Sequence, residues 1–350
     1  MTMVMHSRPS VCVTGGAGFI GSHVVERLLA EGSKVTVFDN LSSGRRGLVE
    51  PHLGNPRFQF VQGDLLDVDC LRNTLAGHDL VWHLAANTDI RGGTTQTDID
   101  LKNCVIGTWN VLEAMRLTGV RDLIFASSGV VYGDSAANPL RESTGPLLPV
   151  SLYGAGKLSG ETFVSAYCHL FGLRGWMFRF ANVIGARTNH GVVHDFVQKL
   201  RRNPVELEVL GDGRQVKPYI LVEECVDGML YAYRHVPLDP EKPCDVFNLG
   251  TDTFISVREI AEIVVDVLGL PNATIRYTGG RRGWPGDAPV ILMGVEKLRQ
   301  LGWSARHDSA AAVRIAIERL AEEIHAGQNG PRIRPTTNIL SEEAADAGDR

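Results

Sequence analysis

Thr14-Gly15-Gly16-Ala17-Gly18-Phe19-Ile20-Gly21 is the stretch that decides the fold. The apolar run Val11-Cys12-Val13 leads into it. A segment with Val24, Val25, Leu28 and Leu29 on one helical face leads out and stops at Gly32. A strand that turns through glycines into a helix is the setting in which such a cluster holds a dinucleotide. Gly15 permits the tight turn, Gly18 lets backbone approach a pyrophosphate, and Gly21 lets the helix pack close to its strand. The free N–H groups and the positive dipole end at the helix start then face the phosphates. A glycine-rich turn with no ligand is the plain alternative in any strand–helix unit.

The pattern continues outward from this turn. Val35 to Phe38 forms a second strand closed by Asp39, about 20 residues beyond the last glycine, where a carboxylate accepts the adenosine ribose hydroxyls. It would repel a 2′-phosphate, so the expected cofactor is NAD rather than NADP. An Asp capping a turn at a strand end is the alternative. Asp64, after the third strand, is a candidate contact to adenine. Phe58 to Gln62, Leu80 to Leu84, Leu123 to Ser127 and Trp176 to Phe180 repeat the strand pattern, with helical segments such as Asn103 to Met115 between most of them. Strands apolar on both faces that alternate with helices predict a parallel sheet covered on both sides.

After Ala181 the rhythm loosens, and glycines, prolines and charges crowd residues 185–218. Val246 to Leu249 reads as a late strand. Ser256 and Glu259 have capping-box spacing, with Ile260, Ile263, Val264 and Val267 as the apolar face behind them. The expected organisation is an α/β chain. Its doubly wound parallel sheet spans 10–181 with a returning segment near 215–250. A smaller α/β C-terminal lobe over 182–325 holds the substrate. Residues 327–350 are polar and acidic and predict a disordered tail.

Of 350 residues, 44% are apolar and 21% charged, with a net charge of −5 and no Lys/Arg run. That balance argues against a nucleic-acid partner. No apolar stretch is long enough to span a membrane, and residues 1–9 lack the apolar centre of a leader. The six cysteines form no CxxC pair. They read as reduced thiols of a cytoplasmic protein, with neither a disulfide frame nor a metal site.

Tyr153-Gly154-Ala155-Gly156-Lys157 carries the chemistry. On a helix, positions four apart share a face. An ammonium beside a phenol favours phenolate and is expected to lower the tyrosine from its ordinary value of about 10. A phenol so tuned takes a proton from a sugar hydroxyl and returns it. The plain alternative is a surface lysine beside a half-buried tyrosine, since the pattern recurs by chance.

TGGAGFIGSH (14–23), VFDN (37–40), HLAA (83–86), SSGVVYG (127–133), YGAGK (153–157), RFANVIG (179–185), GDGRQVKPYILVEE (211–224) and RGWPGD (282–287) occur in this order. Together they resemble the extended short-chain dehydrogenase/reductase family, and within it the nucleotide-sugar 4-epimerases, across residues 10–325. The resemblance implies a Rossmann-type sheet and bound NAD. The cofactor contacts it implies are Gly15, Gly18, Phe19, Ile20, Gly21, Asp39, Asn40, Asp64, Leu65 and Ala85, with Tyr153 and Lys157 on the nicotinamide side. It assigns the catalytic hydroxyl to Ser128, with Tyr153 and Lys157 completing the set. Ser127 should point away by strand alternation. Ser128, Tyr153, Asn182, Arg187, Lys217 and Arg282 are the implied substrate contacts.

Lys217 stands where relatives commonly have arginine, so charge is kept but the bidentate fork is lost. Arg281 is an alternative to Arg282. Arg187 or His190 could meet the sugar's C6 group, although a solvated loop is the better reading for each. Gly129 occupies the place where relatives that dehydrate or decarboxylate resemble one another in carrying an acid. Its glycine therefore implies oxidation at C4 followed only by reduction at C4. The implied activity is 4-epimerisation of a UDP-sugar, either UDP-glucose/UDP-galactose or UDP-glucuronate/UDP-galacturonate. A dehydratase or decarboxylase of the same family, or a non-catalytic NAD-binding protein, are the alternatives. A homodimer through the Tyr153 helix is also implied, with Gly154, Gly156 and Gly160 allowing close helix packing.

Overall fold

The computed structural model describes residues 9–329. Its strands are β1 (Ser10–Thr14), β2 (Lys34–Asp39), β3 (Phe58–Gln62), β4 (Leu80–His83), β5 (Asp122–Ser128), β6 (Arg174–Phe180), β7 (Asn182–Ile184), β8 (Glu206–Val209), β9 (Val216–Lys217), β10 (Tyr219–Leu221), β11 (Cys244–Leu249), β12 (Ile255–Ser256) and β13 (Thr274–Tyr277). Its α-helices are α1 (Phe19–Ala30), α2 (Val68–Leu75), α3 (Gly107–Thr118), α4 (Leu152–Phe171), α5 (Val192–Arg202), α6 (Val222–His235), α7 (Val257–Val267), α8 (Glu296–Gln300) and α9 (Ser309–Asn329).

Seven strands form one parallel sheet in the order β11-β6-β5-β4-β1-β2-β3. The chain builds outward from β1 through β2 and β3, then returns to the other side of β1 for β4. The carboxyl ends of β1 and β4 therefore border the switch point where an open α/β sheet holds its ligand. The strands are apolar on both faces because helices cover both. Val11, Val13, Val35, Trp82, Phe178 and Phe247 pack on one side, and Cys12, Val81, Leu123, Phe125 and Met177 on the other.

A second core gathers Val193, Phe196 and Val197 of α5, Ile260 and Val264 of α7, and Val313 and Ile317 of α9. Three two-stranded pairs, β7–β10, β9–β12 and β8–β13, edge this lobe. The chain crosses between the cores more than once. Met229 of α6, Leu249 of β11, Met293, Leu298 of α8 and Trp303 all pack into the core of the large sheet. The Ser256–Glu259 capping box forms as the spacing predicts. Residues 327–329, placed in the tail by composition, complete α9; the rest of that tail lies outside the described residues.

Two local features differ from expectation. Asn103 to Met115 is not one regular helix. Leu101–Ile106 winds as a π-helix and passes into α3 at Gly107. The glycines of α4 also face inward rather than toward a partner helix. A Cβ on Gly156 would lie 2.7 Å from Cβ of Cys104, and one on Gly160 would lie 2.5 Å from Cζ of Phe125. They let α4 press against the π-turn and β5, which fixes the depth of Tyr153 and Lys157.

Candidate active site

The first glycine turn is built by close backbone contacts. Gly15 has φ +73°, a left-handed conformation that glycine adopts at little cost. Its N–H donates to Phe38 O (2.9 Å), and its carbonyl accepts from Gly18 N–H (3.0 Å). A Cβ on Gly21 would stand 2.1 Å from that same carbonyl. Gly21 thus seats α1 on the turn itself, while the tight approach to strand β2 falls to Gly16, whose Cβ would meet Val37 at 2.6 Å. No side chain caps α1. The N–H groups of its first turn, including Phe19 and Ile20, are left for an anion, as a pyrophosphate requires.

His83, ending β4, ties this turn down. Its ring bridges Thr14 Oγ1 (2.8 Å) and Thr108 Oγ1 (3.0 Å). Burial, aided by Lys157, pulls the imidazole down to about 3, so it stays neutral.

Asp39 is only 7% exposed at the end of β2. It accepts from Ala17 N–H (3.0 Å) and Leu41 N–H (2.8 Å). Each carboxylate oxygen accepts only one of these bonds and Asp39 lines the cleft, so acceptor capacity remains for vicinal ribose hydroxyls. Asn40 Nδ2 donates to Asp64 Oδ2 (2.9 Å), which joins the two strand-end loops. Leu65 and Ala85 lie on the same wall. The bare helix start, the glycine cradle and the acceptor at Asp39 together fit a dinucleotide carrying a free ribose diol.

The cleft has a volume of about 850 Å³ and runs from this turn to the small lobe. Ser128 lines it where β5 ends. Alternation along β5 separates the two serines. Ser127 Oγ turns inward and donates to Glu161 Oε1 (2.5 Å), which is paired with buried Arg179 (2.7 Å). Ser128 Oγ accepts from Val130 N–H (3.4 Å) and lies on the cleft wall.

α4 starts beside it, capped by Ser151 Oγ, which accepts from Gly154 N–H (3.1 Å). Lys157 is 3% exposed. Its Nζ donates to Ala126 O (2.7 Å) and lies 5.7 Å from the centre of the Tyr153 ring. The helix thus puts phenol and ammonium on one face as the spacing predicts. The electrostatic expectation is reversed by burial. Burial, with smaller contributions from Cys104 and Asp100, pushes the Tyr153 phenol above its ordinary range. Burial also draws Lys157 down. Desolvation opposes both charged forms and is the largest cause of each shift.

Asn182 reaches the cleft from β7, with Nδ2 donating to Pro218 O (3.2 Å). Lys217 is on the wall too, paired with Asp287 (2.6 Å). His190 lies there as well. Arg187 and Arg282 do not line the cleft. Arg187 reaches back to Glu26 (2.6 Å) and Ser22 on α1, an ion pair that holds it off the wall. Arg282 is held between the Asp134 carboxylate and the Asp287 carbonyl at the rim. Asn87 to Arg91, Asn103, Gln215 and Trp284 line the cleft without having been singled out in the sequence. The HLAA strand end was the signal for the first group, because a loop leaving the carboxyl end of a central strand faces the ligand.

Residues 11–250 match the NAD dependent epimerase/dehydratase family. A UDP-glucose 4-epimerase of Mycolicibacterium smegmatis is 36% identical over 74% of this chain and 83% of its own. A putative UDP-glucose 4-epimerase of Methanocaldococcus jannaschii is 31% identical over 88% and 97%. The crystal structure of a UDP-galactose 4-epimerase superposes with a TM-score of 0.81 at 41% identity, covering 90% of this chain and 99% of that one.

Proposed function

The chain belongs to the NAD-dependent epimerase/dehydratase family, and on that premise we propose that it is an NAD-dependent 4-epimerase of a UDP-sugar. Tyr153 is the acid–base group. It takes the proton of the sugar 4-hydroxyl and returns it after the 4-keto sugar has turned its other face. Ser128 hydrogen-bonds the same hydroxyl. Lys157 places positive charge beside the phenol and, with Tyr153, holds the nicotinamide ribose. NAD, held by these residues, would supply the hydride acceptor and donor for C4 and, in its oxidised form, a positive charge near the Tyr153 phenol. Gly15, Gly18 and the first turn of α1 hold its pyrophosphate, and Asp39 its adenosine ribose. Asn182 and Lys217 are assigned to the substrate's sugar and diphosphate.

The observation that carries 4-epimerisation over dehydration or decarboxylation is Gly129. A Cβ there would lie 2.8 Å from Sδ of Met293 and 3.2 Å from Phe180 O. No carboxylate can enter from that loop to take a proton at C5. The neutral pair UDP-glucose/UDP-galactose comes first, because Arg187 pairs with Glu26 and burial lowers the His190 imidazole, so neither candidate for the C6 group favours a carboxylate there. A panel of UDP-hexoses and UDP-uronates followed by NMR tests this. C4 inversion of UDP-glucose with no solvent deuterium at C5 is the expected result. Deuterium at C5, or released CO₂, overturns it in favour of the dehydratase or decarboxylase reading.

The protein acts as a homodimer. Trp109 and Leu117 on α3 and Phe163 and Leu170 on the adjoining α4 are exposed apolar residues, a surface suited to a second copy. Sedimentation is expected to give a dimer at micromolar concentration, and a monomer there would refute it. Among the described residues no helix is long and apolar enough to cross a membrane. Six free thiols support a reducing, cytoplasmic setting.

A further inference from the structure

Residues 186–189, which carry the chain from β7 toward α5, are tied to three other parts of the molecule. Arg187 is the centre of this stretch. Its backbone is left-handed (φ +69°), a conformation that a bulky side chain keeps only where its surroundings enforce it. From α9, the Glu323 carboxylate accepts the Arg187 N–H, at 3.0 Å to each oxygen. From α1, Ser22 (3.3 Å) and Glu26 (2.6 Å) take its guanidinium, and His23 Nε2 lies 3.2 Å from Ala186 O. From the loop after β2, Arg45 Nη2 donates to Arg187 O (2.6 Å), and Ser43 O accepts from Asn189 Nδ2 (3.4 Å).

The loop after β2 is built onto the two places assigned to the cofactor. Arg45 N–H donates to Ala17 O (2.9 Å) on the glycine turn, and a Cβ on Gly44 would lie 2.9 Å from Asp39 Oδ1. Leu41, in this loop, has φ +62°. Leu41 and Arg187 are the two left-handed residues other than glycine among the described residues, and they stand on the two loops that meet. Ser43 and Asn189, where the loops touch, are exposed to solvent and also line the cleft. The bridge is therefore an outer wall of the cleft beside the glycine turn and Asp39. Arg45, Arg187 and Glu323 fasten that wall without lining the cleft themselves.

We infer that residues 186–189 form a strap that retains NAD, and that Arg45 and Glu323 are the positioning residues that hold it closed. This rests on the function proposed above. A hydride lent at C4 has to return to the same sugar, so a cofactor that left in its reduced form would strand the 4-keto sugar. A dinucleotide seated on the glycine turn and Asp39 lies behind the bridge, and on that side it leaves only when the strap lifts. The charge-assisted bond from Arg45 and the paired acceptors of Glu323 oppose lifting. The left-handed backbone at Arg187 favours it, because opening relieves the strain. Cutting one tie therefore shifts the strap toward its open form.

Arg45→Ala and Glu323→Ala test this together. Both side chains are exposed, so each variant cuts a tie without disturbing a core. Protein loaded with NADH is mixed with excess NAD, and the loss of NADH fluorescence gives the release rate. Both variants are expected to release NADH about tenfold faster than the wild type, the effect of losing one hydrogen bond to a charged group. The two substitutions remove opposite charges. A long-range attraction of Arg45 for the diphosphate would speed release in Arg45→Ala and slow it in Glu323→Ala, and that split overturns the inference. A merely structural role would lower the denaturant midpoint and leave the release rate at its wild-type value, which overturns it as well. No sugar is present in this measurement. Failure of the wild type to invert C4 would sink the proposed function and leave the reading of the strap to stand or fall on the release rates.

Discussion

Tyr153→Phe is expected to lower kcat by about 10²–10⁴-fold, roughly 3–5 kcal/mol of transition-state stabilisation. NAD affinity should stay near that of the wild type. The substitution removes one oxygen and keeps the ring that packs beside Lys157 (5.7 Å). Lys157 keeps its bond to Ala126 O, and the glycine turn and Asp39 are untouched. Steady-state kinetics should therefore show the loss in kcat with little change in KM, as when an interaction made only in the transition state is deleted. Fluorescence titration with NAD checks the second half. The Tyr153 phenol is pushed up by burial, so its ionised form needs positive charge gathered around it. A variant without the oxygen has no proton to exchange whatever the charge. Near-normal turnover would exclude Tyr153 as the base and leave Ser128 to be assigned that role.

The sheet was legible because its strands are apolar on both faces and glycines punctuate their ends. Phe58 to Gln62 appears as a strand with the same bounds as its sequence pattern. Ser128 was separable from Ser127 by alternation alone, and the inward bond of Ser127 to Glu161 shows why. The π-turn was not legible. An apolar face of period 3.6 does not reveal a turn closed one residue later, so Asn103 to Met115 read as a single helix. The partners of Arg187 and Arg282 were not legible, because Glu26 and Asp134 lie far away in the chain. The direction of the Tyr153 shift failed for a related reason. Spacing puts an ammonium beside the phenol but says nothing of how much water the fold removes from both.

Gly21→Ala is the second large effect. A methyl group at this position would lie 2.1 Å from the Gly15 carbonyl oxygen and 2.8 Å from Cα of Gly16. Both neighbours are backbone, so no side chain can turn aside. Either α1 lifts from the turn or the turn opens, and in each case the N–H groups of Phe19 and Ile20 move away from where the pyrophosphate must sit. A displacement near 1 Å in a positioned site costs about 10²-fold, and NAD affinity should fall by that order. Overpacking of this kind also lowers stability, by about 1–3 kcal/mol, which a denaturant titration will show. Gly47→Ala serves as the control, because an added Cβ there meets nothing within 4 Å. It adds the same methyl group to the chain and should change neither quantity. If Gly21→Ala bound NAD like the wild type, the turn would not be what holds the phosphates, and the anion would have to be sought elsewhere along the cleft. Loss of binding with the fold still cooperative would instead tie cofactor recognition to one backbone contact, the seat of the first helix on the carbonyl of Gly15, the glycine that follows the first strand.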